Sequence, residues 1–90
     1  MKAARPDANR AEIVAALRQV GITWIDQEPR AGFDGLAICA GRKEIIEIKQ
    51  PGKRDDLTPN ESKLRFVCIM NNVVYNVVTT IEEALSVCGF

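Results

Sequence analysis

The sequence predicts an α/β domain with a mixed central sheet flanked by helices, in the order αβββαβα. Three observations carry that prediction. A helical stripe near the N-terminus ends at a glycine, two apolar runs of strand length flank Gly41-Arg42, and two segments open on a threonine with glutamate three residues later. At 90 residues, 47% hydrophobic and 27% charged, the chain reads as a single globular domain over 1–90. A domain of this size buries only roughly 60% of its unfolded surface, so a homodimer is expected.

Asp7 to Val20 places Ile13, Ala16, Leu17 and Val20 on one helical face, with Gly21 as the expected cap. Ile22 to Gln27 reads as a first strand and Glu28 to Gly32 as a loop. Asp34 to Ala40 and Lys43 to Lys49 then form a hairpin that Pro51-Gly52 ends. Thr58-Pro59-Asn60-Glu61 specifies a helix start, by cap, proline at the first helical position and capping-box glutamate, and the helix should run to about Met70. Val73 to Val78 reads as a buried strand. Thr80 to Glu83 repeats the box ahead of a last helix that turns Ile81, Ala84, Leu85 and Cys88 inward and stops at Gly89.

The hairpin register points to a site. With Gly41-Arg42 as the turn, Ala40 pairs with Lys43, Ile38 faces Ile45, Leu36 faces Glu47 and Asp34 faces Lys49. Asp34, Glu47 and Lys49 then share one face at one end of the hairpin, because the side-chain period of a strand is two. An odd loop length would put Asp34 on the other face. Magnesium is commonly held by one or two carboxylates plus waters and a substrate phosphate. Asp34 and Glu47 fit that role, the Ile48 carbonyl could add a ligand, and Lys49 would stand beside the ion. From spacing alone, Glu47 and Lys49 serve equally well as solvent-face residues of an edge strand, with Asp34 a turn residue beside Gly35.

Composition narrows the chemistry. There is no histidine, and Cys39, Cys68 and Cys88 are widely spaced among apolar neighbours, so zinc and iron sites of the usual kinds are disfavoured and a metal must sit on oxygen. The cysteines read as buried hydrophobes in a reducing compartment. No apolar run approaches the roughly 20 residues a bilayer requires, and the N-terminal MKAARPDANR has no apolar signal core. A cytoplasmic location and no membrane partner are expected. The formal net charge is +0, so nucleic-acid binding has to rest on local clusters of charge.

Gly32-Phe33-Asp34-Gly35-Leu36, followed by Glu47-Ile48-Lys49 and Gln50-Pro51-Gly52, resembles the PD-(D/E)xK nuclease signature. With Asn9 to Glu12, the Leu57-Thr58-Pro59 helix start and the Thr80-to-Leu85 helix, the chain from about Ala8 to Val87 is similar to the stand-alone VRR-NUC nucleases of phages and bacteria. The resemblance implies a PD-(D/E)xK nuclease-like core, hydrolysis of DNA phosphodiester bonds with Mg2+ or Mn2+, and a setting in a bacterium or phage-infected host. It also implies an active site of Glu12, Asp34, Glu47 and Lys49, with Glu12 joining Asp34, Glu47 and Ile48 around the metal. Many relatives have proline before the aspartate and leucine after it; here these are Phe33 and Gly35. Asn9 to Glu12 can also be a capping box, and for Glu61 the cap with Thr58 is the preferred reading.

Lys53 and Arg54, which follow the Glu-x-Lys strand, are candidates for phosphate contacts, joined by Lys63 and, more weakly, by Arg5 and Arg10 on the N-terminal side. The bland alternative for Lys53 and Arg54 is a solvated charged loop. Stand-alone members of the family resemble Holliday-junction resolvases, which implies branched DNA as substrate and a two-fold dimer, with Phe33, Phe66 and Met70 as interface candidates or core. Competing readings are a nuclease acting on flaps, single strands or linear duplex, a non-catalytic DNA-binding module, and an interaction domain without nucleic acid.

Overall fold

The computed structural model describes residues 7–90, and side chains from residue 9 onward; Arg5 lies outside the described residues. Its elements are α1 (Asp7–Gln19), β1 (Thr23–Asp26), a 3-10 turn (Pro29–Ala31), β2 (Gly35–Cys39), β3 (Arg42–Ile48), α2 (Pro59–Met70), β4 (Tyr75–Val78) and α3 (Ile81–Val87). The sheet order is β1-β2-β3-β4, antiparallel through β3 and parallel between β3 and β4, with α2 as the crossover. The element order and the mixed sheet agree with the sequence reading. No helix among the described residues is long and apolar enough to cross a membrane.

The hairpin register differs from the expected one. The turn is Ala40-Gly41, with φ of 49° and 81°, as a two-residue type I′ turn demands, and Cys39 pairs with Arg42. Ile38 therefore faces Lys43 and Leu36 faces Ile45. The error arose because Ala40, unlike glycine, carries a side chain that disfavours positive φ, so it reads as a strand residue. Glu47 and Lys49 keep a common face because they stand two residues apart along β3 and its end, whereas Asp34 leaves the strand alternation, its N–H donating to the Ile46 carbonyl and its own carbonyl accepting from the Gln27 N–H on the other side.

The register sorts the sheet into two unequal faces. Trp24, Ala37, Ile46, Ile48 and Val78 are buried against Ile13, Val14 and Leu17 of α1 and against Ala84 of α3 and Cys88 just beyond it. The other face carries Ile25, Leu36, Ile38, Ile45, Glu47 and Val77, and α2 covers it thinly, burying only Cys68 of its own residues. Ile25 and Ile38 remain exposed.

The strand expected over Val73 to Val78 is shorter and lies at the sheet edge. Asn72 adopts a left-handed φ of 57°, and the Val73 N–H donates to the Cys68 carbonyl at 2.8 Å, closing α2 in a Schellman motif. Val73 is thereby committed to the helix end, and both Val73 and Val74 are exposed. The α3 start differs slightly from a full capping box. The Thr80 hydroxyl accepts from the Glu83 N–H as expected, but the Glu83 carboxylate reaches back one residue further, to the Thr79 N–H at 2.7 Å.

Candidate active site

The site forms where β2 gives out and β3 continues alone toward α2. Asp34 sits one residue before β2, locked by its backbone on both sides. Its N–H donates to the Ile46 carbonyl at 3.0 Å, and its own carbonyl accepts from the Gln27 N–H at 3.0 Å. Its Oδ2 accepts from the Ile48 N–H at 2.7 Å, so a carboxylate takes the place a β2 partner would have filled. A strand residue projects its N–H and C=O to the same side. The Ile48 carbonyl is thus aimed at the same open edge, beside Asp34.

The glycine at position 35 has a local cause. A Cβ there would collide with the buried Trp24 indole and come within 2.8 Å of the Ile25 carbonyl. Trp24 occupies the space that a side chain after the aspartate would need.

Glu47 is only 4% exposed. Its carboxylate faces the Lys49 ammonium at 3.4 Å, and the Lys49 Nζ donates to Glu61 Oε1 at 2.7 Å. That same Glu61 oxygen accepts from the Thr58 N–H at 2.9 Å, while the Glu61 N–H donates to the Thr58 hydroxyl. The capping box expected at Thr58 is therefore present, and its glutamate also anchors Lys49. Burial first, then the charges of Asp34 and Glu61, push the Glu47 carboxyl up to about 8, against the opposing pull of Lys49. Lys49 is raised: partial burial works against its charge, but the bond to Glu61 and the charge of Glu47 prevail. Glu61 is lowered; its burial acts the other way and is outweighed by Lys49 and the Thr58 N–H.

From α1, Arg10 reaches over the site. Its Nη2 pairs with Asp26 Oδ1 at 2.6 Å, its Nε lies 3.5 Å from Asp34 Oδ1, and its guanidinium sits 6.0 Å from the Trp24 ring centroid. Asn9 Nδ2 donates to the Lys49 carbonyl at 2.9 Å, and Asn9 Oδ1 accepts from Gln50 Nε2 at 2.9 Å. A cleft of about 370 Å³ opens here, lined by Arg10, Asp34, Glu47, Ile48, Lys49, Gln50, Lys53 and Asp56. A second opening of about 430 Å³ reaches Asp34 and Glu47 from the side of Phe33, Thr58 and Glu61.

Asp34, Glu47, Ile48, Lys49, Arg10 and Lys53 are thus brought together. The remaining candidates are not. Glu12 is exposed on α1 and lines neither opening. Asn9 is inside the helix with its side chain committed to Lys49 and Gln50, so the Asn9 capping-box alternative is corrected as well. Arg54 is spent on the Val77 carbonyl at 2.7 Å and on Glu83. Lys63 borders a separate depression with Arg30 and Val67. Sequence reasoning missed Asn9, Gln50 and Asp26 as neighbours of the site, and gave Glu61 one role where it has two. Asn9 and Gln50 stand in the stretches that carry the family resemblance, which was the available signal; nothing in the sequence marks Asp26.

Among the described residues, no three Asp, Glu or Cys side chains converge as a ready-made cage for a cation. The donors at the open edge are two carboxylates and one carbonyl, a hard-oxygen set that suits magnesium or manganese with several waters retained. Burial first, and then the neighbouring carboxylates, hold the Glu47 proton to about 8; a divalent ion at this edge would favour the ionised form. Comparison with family models, with curated proteins and with solved structures finds no match to this chain.

Proposed function

We propose that the protein is a metal-dependent DNA endonuclease acting on branched DNA, with Asp34, Glu47 and the Ile48 carbonyl as metal ligands and Lys49 as the catalytic cation. The observation that carries this reading is that Asp34, the buried Glu47 and its ion-pair partner Lys49 line one cleft at an open strand edge, which Arg10 and Lys53 also line. A divalent ion there would polarise the scissile phosphate and acidify a water for attack on phosphorus. Lys49, held by Glu61, is oriented to donate to a non-bridging phosphate oxygen as charge builds on it. Asp34, fixed by the Ile48 N–H, keeps its other oxygen free of backbone contacts. Arg10 and Lys53 would neutralise flanking phosphates. Glu12 has no part in this scheme. Two copies would be needed for paired nicks on a four-way junction.

The test is cleavage of an end-labelled four-way junction with Mg2+ or Mn2+, beside matched linear duplex. Paired symmetric nicks that require metal are expected, with losses on the order of a hundredfold or more in Asp34→Ala and Lys49→Ala. Cutting of linear or flapped DNA in its place would retain the chemistry and discard the junction. No cutting with either metal would overturn the enzyme reading.

A further inference from the structure

The guanidinium of Arg10 is shared between two carboxylates, and the two contacts have opposite consequences for the site. Arg10 Nη2 pairs with Asp26 Oδ1 at 2.6 Å, and Arg10 Nε lies 3.5 Å from Asp34 Oδ1. Asp34 Oδ2 accepts from the Ile48 N–H at 2.7 Å, so the oxygen that faces Arg10 is the one without a backbone donor. Arg10, Asp34 and Glu47 line both openings of the site. A cation held at that oxygen would share it with a positive charge. Like charges within about 4 to 6 Å shift such an equilibrium by roughly tenfold or more. Arginine keeps its charge throughout the physiological pH range, so Arg10 relieves the conflict only by moving its side chain.

Asp26, the last residue of β1, supplies the place to move to. Its Oδ1 is fixed from behind by the Trp24 indole Nε1, which donates to it at 2.7 Å from a residue only 5% exposed. The Trp24 and Arg10 bonds hold the Asp26 carboxyl below its ordinary value, so it stays an anion. The Trp24 ring, 6.0 Å from the guanidinium, adds to the hold on that side. Meanwhile the Asn9 side chain ties α1 to the Lys49 carbonyl at 2.9 Å. The helix is thus anchored next to Arg10, and the adjustment falls to the arginine side chain.

We infer that Asp26 is a positioning residue for the site: it draws the Arg10 guanidinium off Asp34, leaving Asp34 Oδ1 to a divalent cation and Arg10 to a substrate phosphate. Asp26 has this role only if the open edge takes a divalent ion, as the nuclease reading holds. It is no ligand itself and lines neither opening. Its side chain is 63% exposed, so its own charge is largely screened by salt and its influence passes through Arg10.

The experiment is Mn2+ binding to the full chain, followed by calorimetry at one pH and without DNA. It compares the wild type, Asp26→Asn, Arg10→Gln and the double variant. Asp26→Asn is expected to weaken Mn2+ binding about tenfold, and Arg10→Gln to tighten it about tenfold. The double variant should match Arg10→Gln within about twofold, because the effect of Asp26 requires Arg10. An equal loss from Asp26→Asn in both backgrounds would show Asp26 acting by its own charge, and would overturn the inference. So would an affinity indifferent to Arg10→Gln, an outcome that leaves the nuclease reading standing. Absence of Mn2+ binding in all four proteins would overturn both. If a variant fails to fold, magnetic resonance of the wild type decides. Mg2+ should shift the Ile48 amide and, over the same concentrations, speed exchange of the Arg10 Nε proton with water. An Ile48 amide that responds while the Arg10 proton does not would overturn the role of Asp26 and leave the ion in place.

Discussion

Burial of Glu47 between Asp34 and Glu61 ties its proton to the folded state. In the unfolded chain the group ionises near its ordinary value of about 4.3, whereas the metal-free fold retains the proton to about 8. Between these limits the native state binds more protons than the unfolded state, so stability falls as pH rises. Urea denaturation in the presence of chelator should lose up to about 1.4 kcal/mol per pH unit inside that window, and Glu47→Gln should flatten the dependence. Binding of a divalent ion must expel the same proton. Calorimetry should accordingly show Mn2+ affinity rising about tenfold per unit between roughly pH 6 and 8, with no such rise in Glu47→Gln. Other single residues account for what the sequence did and did not disclose. The acid-x-base alternation exposed Glu47 and Lys49, whereas Gly35 looked like a defect in the pattern until Trp24 was seen to fill its place. Gly35→Ala should cost about 2 kcal/mol or more, measured as a fall in denaturation midpoint.

At the scale of elements, helix starts were legible because capping chemistry is local: Thr58 and Thr80 both accept from the glutamate N–H three residues on. Two misreadings came from residues in left-handed backbone that are not glycine. Ala40 moved the hairpin register by two, and Asn72 drew Val73 into the end of α2. The first left Glu47 and Lys49 on one face, because their spacing along β3 does not depend on the hairpin register. The second role of Glu61 was illegible, since it depends on where the crossover returns α2 to the end of β3. Its two roles can be separated. Thr58→Ala should lower stability by about 1 kcal/mol. Glu61→Gln keeps a box-competent side chain but withdraws the anion from Lys49, so the alkaline limb of the pH–rate profile should move to lower pH with a smaller change in stability.

Across the whole molecule, packing is one-sided. α1 and α3 close one face of the sheet around Leu17, Ile46, Val78 and Ala84, all nearly inaccessible, while α2 lies on the other with its apolar side outward. The helical stripes of α1 and α3 announced the first layer in the sequence, through Ile13, Leu17, Ala84 and Cys88. The second layer was less legible because α2 carries apolar residues around most of its circumference, which names no single inward face. This asymmetry sets the order of failure. The helix with the least buried surface is the one to fray first on heating or exposure to protease, and with it goes the oxygen that both closes its first turn and steadies Lys49. A damaged copy would thus be disarmed while its sheet was still intact. For a protein that would hydrolyse DNA, that amounts to a built-in fail-safe, in which the loosest part of the fold serves as the safety catch on its most hazardous part.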